Sequence, residues 1–255
     1  IMKPPQPKKI PKIHIAHGDE RVDNYYWLRD DTRKDPEIIS YLEEENQYLE
    51  DWFGKNNDCR KEIYEELVSF IPPKEVSIKI KYGDYLYYSE INSEQQYKTY
   101  YRELNGTKEL VIDVNALAEN LDYINITSIT PSPNNLLIAY AEDLSGRREY
   151  NIKVKDLTTG KIIDSKVERC SESIVWDKSN TSFYYAQKDP VTLIENKVFK
   201  HKIGTDPNED ILIYEENDTE FHVHIYESRT KKYLNIYTGK TESSETWLLD
   251  LDEEL

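Results

Sequence analysis

Glycine is scarce in this chain, and its spacing excludes several chemistries. The eight glycines stand at 18, 54, 83, 106, 146, 160, 204 and 239, and no two are four apart. A G-x-S-x-G nucleophile elbow needs small residues around a tight strand-to-helix turn, so these residues hold no hydrolase nucleophile of that kind. The same spacing excludes a P-loop and a dinucleotide fingerprint. Cysteine is scarcer still. Cys59 and Cys170 lie far apart, which is no disulfide framework and points to a reducing, cytoplasmic setting. No run approaches the roughly 20 apolar residues of a membrane helix, and IMKPPQPKKIPK lacks the apolar h-region of a secretory signal. Positive charge is also in deficit: 33 Lys and Arg against 49 Asp and Glu give a net charge of −16. That balance argues against nucleic acid and against anionic membrane surfaces as partners. It keeps a protein soluble and would equally suit a cationic substrate.

Tyrosine is abundant, 21 residues against 5 phenylalanines, and tyrosine favours strands. Before the strand-rich part, residues 1–22 are rich in Pro and Lys and read as extended. DPEIISYLEEENQYLEDWF (35–53) reads as a helix. Asp35 suits the N-cap and Pro36 the first helical position, and Ile38, Leu42, Leu49 and Trp52 fall near one stripe. A second helix is expected over 58–70, with Ile63, Leu67 and Phe70 on one side, ended by Pro72-Pro73.

After Pro73 short alternating segments recur in order. The strands YLYY, LIAY, FYYA and LNIY place tyrosines at 88, 140, 185 and 237, spaced by 52, 45 and 52 residues. Each follows a candidate first strand (VSIKI, INITSI, SIVW, FHVHI) and precedes another (TYYREL, IKVKDL, KVFKHKI, TWLLDL). The first three units add a further strand: ELVIDV, KIIDSKV and DILIYEE. Four strands per unit at this period mark β-propeller blades, because one twisted sheet cannot cover both its faces and neighbouring blades must. The expected architecture is mainly β: about three and a half to four blades of a propeller after an extended arm and two helices. Blades are expected over about 75–115, 121–166, 170–216 and 220–252, after residues 1–72. An open arc leaves faces and an edge uncovered. The expectation is therefore the first portion of a longer protein, prone to self-association through its edges. The alternative is a complete, non-catalytic scaffold whose tyrosine-rich blades bind a peptide or protein.

Candidate sites are few. His14 and His17 form H-x-x-H, and His222 and His224 form H-x-H. Zinc needs three or four converging ligands, so both pairs read as ordinary loop or edge side chains and no metal is expected. The acidic runs at 43–46 and 252–255 read as hydrated surface. The loop SGRREY (145–150) joins two inner strands of the second unit. Its Arg147, Arg148 and Glu149 would face an interface or a substrate, or would form a solvated hairpin tip. DNYYWLRDD (23–31) packs two tyrosines, a tryptophan and a leucine beside three charges.

These residues carry a family likeness. RVDNYYWLRDDTRKDPEIISYLEEENQY resembles the N-terminal signature of the oligopeptidase B branch of the prolyl oligopeptidase family of serine peptidases. LVIDVNALAE, SGRREYNIKVKDLTTGK, HKIGTDPNEDILIYEE and SSETWLLDLD match in order. Asn24 stands where that family usually has proline. The resemblance implies a seven-bladed propeller over an α/β-hydrolase domain that cuts short peptides after Arg or Lys with a Ser-Asp-His triad and no cofactor. It implies that the triad and the acidic pocket for the basic side chain lie in a C-terminal domain outside this sequence. No catalytic residue is then expected in this chain. Tyr25, Tyr26, Trp27, Leu28, Arg29, Asp30 and Asp31 are expected to dock the arm on that missing domain, and the propeller to admit peptides by size.

Overall fold

The computed structural model describes residues 3–253, except the side chain of Lys55. Close contacts divide the chain into two units, Ile1–Pro72 and Pro73–Leu255.

The first unit opens with a hairpin. Strand β1 (Lys12–Ala16) pairs antiparallel with β2 (Asp19–Asp23). His17 and Gly18 both take positive φ, 53° and 81°, the mirror-image turn whose twist matches the flanking strands. Helix α1 (Pro36–Phe53) starts as its composition dictates, with the Asp35 carboxylate accepting from the Glu37 amide and Pro36 in the first turn. Helix α2 (Asn57–Ser69) follows. Ile38 is the one buried large hydrophobic among this unit's described residues. Trp52, Leu67 and Phe70 are 55%, 61% and 73% exposed, so much of the apolar surface of both helices faces solvent.

The second unit is a succession of antiparallel sheets. The first comprises β3 (Lys74–Val76), β4 (Ile80–Tyr82), β5 (Tyr85–Asn92), β6 (Thr99–Leu104) and β7 (Thr107–Asp113). Here the expected strand VSIKI is divided. Both β3 and β4 pair with β5, and between them the Ser77 hydroxyl takes the Ser89 amide while the Ser77 amide donates to the Ser89 carbonyl. One turn of helix, α3 (Val114–Leu117), follows. It is capped by Asp113 and is too short to leave a periodic stripe in the sequence.

The second sheet runs β8 (Asn125–Pro131), β9 (Leu137–Asp143), β10 (Asn151–Asp156) and β11 (Ile162–Asp164). The third runs β12 (Cys170–Trp176), β13 (Ser182–Lys188), β14 (Glu195–Lys202) and β15 (Ile211–Glu215). The fourth holds β16 (His222–Glu227), β17 (Tyr233–Gly239) and β18 (Ser244–Asp250).

Three apolar cores join consecutive sheets. Val111 and Val114 meet Ile126, Ile138 and Tyr140. Ala139, Ile152 and Val154 meet Trp176, Phe183 and Tyr185. Val175, Tyr184 and Val198 meet Val223, Ile225 and Leu234. Strand alternation explains the pattern: Tyr184 faces one neighbouring sheet and Tyr185 the other, so both faces of the third sheet are buried. The chain is mainly β, a run of propeller blades after a hairpin arm and two helices.

Candidate functional site

Two sequence candidates have defined geometry. In the first unit, Tyr26–Leu28 form a single 3-10 turn. The Trp27 indole N–H donates to the Lys8 carbonyl at 2.8 Å, and the Lys8 ammonium lies 5.0 Å above the same ring. The Lys12 ammonium sits 3.2 Å from the Tyr26 ring centroid and lowers the phenol's pKa. Asp30 organises the entry to α1. It accepts from the Thr32 hydroxyl and amide at 2.6 and 2.9 Å, and from the Lys34 and Asp35 amides at 2.6 and 2.8 Å. The Thr32 hydroxyl and these amides hold its carboxyl well below the usual carboxylate range. Arg29 pairs with Asp31 at 3.3 Å, which raises the guanidinium's pKa. Tyr25 is 42% exposed and Leu28 is half-buried. The segment thus spends Asp30 and the Trp27 N–H internally and leaves apolar surface on Tyr25 and charge on Arg29 and Asp31 facing solvent.

In the second unit, successive strands alternate in direction, so turns alternate between two edges. The loop between β9 and β10, the loop between β13 and β14, and the segment from β11 to β12 share one edge. Asp143 builds the first of these. It is almost fully buried and accepts from the Ser145 amide and hydroxyl (2.8 Å each), the Gly146 amide (3.1 Å) and the Arg148 amide (2.8 Å). Burial works to raise its pKa, but these donors bring it below the ordinary value. Arg148 has φ +57°, and its carbonyl accepts from the Lys188 ammonium at 2.6 Å.

These hydrogen bonds hold the loop, and both its arginines are exposed. Among the described residues neither Arg147 nor Arg148 is ion-paired, while Glu149 lies 3.8 Å from Arg169. A cleft of about 300 Å³ beside Arg148 is lined by Ser173, Lys188, Glu195, His222 and His224. Glu172 also lines this cleft, and Glu195 already pairs with Lys188 at 3.5 Å. The Ser173 hydroxyl is 3.0 Å from His224 Nδ1. Among the described residues no carboxylate hydrogen-bonds His224, so this pair lacks the third member of a Ser–His–Asp nucleophile. Nor do three or more His, Cys, Asp or Glu side chains converge as metal ligands among the described residues; His14 instead packs 5.0 Å from the Tyr26 ring.

Sequence reasoning missed His201. Its Nδ1 lies 2.7 Å from Asp210 and its Nε2 3.1 Å from Asp164, and all three side chains are almost wholly buried. The one available signal was alternation, which places His201 on the same face of β14 as Phe199. The partner carboxylates are 9 and 37 residues away.

Among the described residues no helix is long and apolar enough to cross a membrane. The family model for the prolyl oligopeptidase N-terminal beta-propeller domain matches residues 4–255. The chain is 33% identical to Protease 2 of Moraxella lacunata over all its length and 38% of the relative's. It is 33% identical to dipeptidyl aminopeptidase BI of Pseudoxanthomonas mexicana, over 95% of this chain and 36% of the relative. Oligopeptidase B from Leishmania major superposes with a TM-score of 0.93 at 32% identity, over 99% of this chain and 38% of that one. Oligopeptidase B from Trypanosoma brucei, with covalently bound antipain in a closed form, gives 0.90 at 30% identity, over 99% and 38%. The chain thus spans little more than a third of its relatives' length. It belongs to the prolyl oligopeptidase family and forms part of that family's N-terminal β-propeller domain.

Proposed function

We propose that this chain is the N-terminal, access-controlling portion of an oligopeptidase B-like serine endopeptidase that cuts short peptides after Arg or Lys. One observation carries the proposal: 99% of the chain follows oligopeptidase B at a TM-score of 0.93. The Ser-Asp-His triad belongs, on this reading, to a C-terminal hydrolase domain, and the 255-residue chain alone is inactive. The exposed stripes of α1 and α2, with Tyr25–Leu28, Arg29, Asp30 and Asp31, dock on that domain, because so much uncovered apolar area calls for a partner. Arg147, Arg148 and Glu149 meet carboxylates of that domain or of the peptide. Without its partner the chain self-associates through its open faces. The propeller admits small flexible peptides and shuts out folded proteins, and the net charge of −16 favours approach of cationic peptides. The two free cysteines accord with a cytoplasmic setting.

The test assays the full reading frame and the 255-residue chain side by side, on reporters ending in Arg, Lys or Pro and on a folded protein rich in lysine. Cleavage of the Arg and Lys reporters alone, by the full protein alone, is the expected outcome. Turnover by the 255-residue chain, or a preference for Pro, overturns it.

A further inference from the structure

Between the first and second sheets lies an open cleft of about 450 Å³. Cross-strand pairing sets one wall. Ile80 stands opposite Tyr87, and Ser89 opposite Tyr100; residues directly opposite, or two apart on one strand, share a face. These four side chains therefore stand on one face of the first sheet. Tyr87 and Tyr100 pack there against the cluster that holds Ile126, Ile138 and Tyr140 of the second sheet. Strand β8 makes the other wall, with Ile126 and Ile129.

Both walls are irregular where they border the cleft. The first sheet is split at Ser77, between β3 and β4. In β8 the register shifts between Thr127 and Thr130, and Ser128 has φ +50°, a bulge of the kind that re-aims neighbouring side chains. Ile80 accordingly remains 68% exposed in the middle of a strand.

Two properties of the lining select an occupant. In a chain with 32% charged residues, no described side chain that lines this cleft is charged. An ion would lose its water there without gaining a partner, so the cleft suits a neutral molecule. The second property is a free hydroxyl. Ser89 is 7% exposed, its amide donates to Ser77 Oγ and its carbonyl accepts from the Ser77 amide. Its own hydroxyl has no hydrogen-bond partner among the described residues, a deficit that a ligand group can fill. The rings of Tyr87 and Tyr100 offer edge or offset contacts to another aromatic. An apolar cavity of roughly 150 Å³ already takes benzene, so this cleft has room for two fused rings.

We propose that the cleft binds a small, uncharged, two-ring aromatic molecule whose hydroxyl group pairs with Ser89. Both walls belong to this chain, so the site does not rest on the peptidase reading.

The test titrates 2-naphthol into the full protein and follows its fluorescence, with naphthalene and naphthalene-2-sulfonate alongside. Saturable binding of 2-naphthol is expected, with the sulfonate weaker by about tenfold or more. Ser89→Ala should weaken 2-naphthol about tenfold and leave naphthalene unchanged. Ile80→Trp, at an exposed position of β4, should fill the cleft and abolish binding. Absence of saturable binding overturns the proposal, as does equal affinity for the sulfonate, or an Ile80→Trp protein that binds like the native one. If Ile80→Trp does not fold, Ser89→Ala decides: equal effects on 2-naphthol and naphthalene, or none, overturn the pairing with Ser89. Binding by the 255-residue chain but not by the full protein would show that later sequence fills the cleft, and also overturns it. Binding of 2-naphthol by a full protein that cleaves no Arg reporter would overturn the proposed function and leave this site standing.

Discussion

His201 Nε2 lies 3.1 Å from Asp164 Oδ2, joining the third sheet to the second through a buried ion pair. Its other nitrogen faces Asp210 at 2.7 Å, and the Tyr185 hydroxyl donates to the same carboxylate at 2.8 Å. With both ring nitrogens facing carboxylates, the imidazolium is the form that satisfies them. Burial lowers the imidazole's pKa, but Asp164 and Asp210 outweigh it and raise the value above 6.5. Burial works to raise Asp164, but His201 and the Gly204 and Lys166 amides hold it below the ordinary range. Asp210 is pushed up, chiefly by burial. A raised folded-state value means that the His201 contribution is complete below pH 6.5 and is lost as pH rises through the raised value. The Asp164 contribution is present above its ordinary value and lost as pH falls through the lowered one. Urea unfolding across pH should therefore show stability falling on the alkaline side. His201→Phe, which keeps a planar ring but strands two buried carboxylates, should cost about 3–5 kcal/mol at neutral pH.

Much of this fold was legible because sheets buried on both faces write tyrosine and β-branched residues into every strand. Tyr140 and Tyr185 mark central strands at the blade period for that reason. Three features were not legible. The arm reads as extended from its prolines and lysines, yet the His17-Gly18 turn folds it into a hairpin. The strand VSIKI is continuous in pattern, and only the Ser77–Ser89 hydrogen bonds divide it. The His201 cluster joins residues from different sheets, and no local period encodes such a pairing. Of the site candidates, Asp30 stood at a helix start in sequence, but its four donors depend on the path of the turn.

Trp176 fastens the same seam by different means. Its ring is buried against Phe183, with centroids 6.1 Å apart, and its indole N–H donates to the Thr130 carbonyl at 3.0 Å. Trp176→Phe keeps most of the apolar contact and removes the hydrogen bond, for an expected loss of about 1–2 kcal/mol. Trp176→Ala adds the cavity and should cost about 3–5 kcal/mol. Denaturant midpoints of the two variants separate the contributions, and a Trp176→Phe protein as stable as the native one would show that the hydrogen bond contributes nothing.

Asp30 should act locally. Its carboxylate holds the Thr32, Lys34 and Asp35 amides, so Asp30→Ala frees the turn that starts α1. Amide exchange should speed up at these three residues and leave the four sheets unchanged. Because the carboxyl's pKa is depressed, the effect of the native residue is fully present at neutral pH. It is lost only as pH falls below the ordinary 3.8 through the lowered value.

The two thiols offer a direct readout of the seam between the second and third sheets. Cys59 is exposed, whereas Cys170 is fully buried, and its Sγ lies 3.1 Å from the Tyr150 carbonyl. Burial pushes the Cys170 thiol up to about 12, and a thiol that is neither ionised nor accessible does not attack. An aromatic disulfide reagent at pH 8 should therefore modify one thiol at once and the second only as the seam opens. Tyr150 and Cys170 form a backbone bridge there, and Cys170 shares its apolar cluster with Phe183 and Tyr185, the rings that surround His201 and its carboxylates. His201→Phe should accordingly speed modification of Cys170 while leaving Cys59 unchanged. An unaltered slow phase in that variant would show that the ion pair and the bridge open independently.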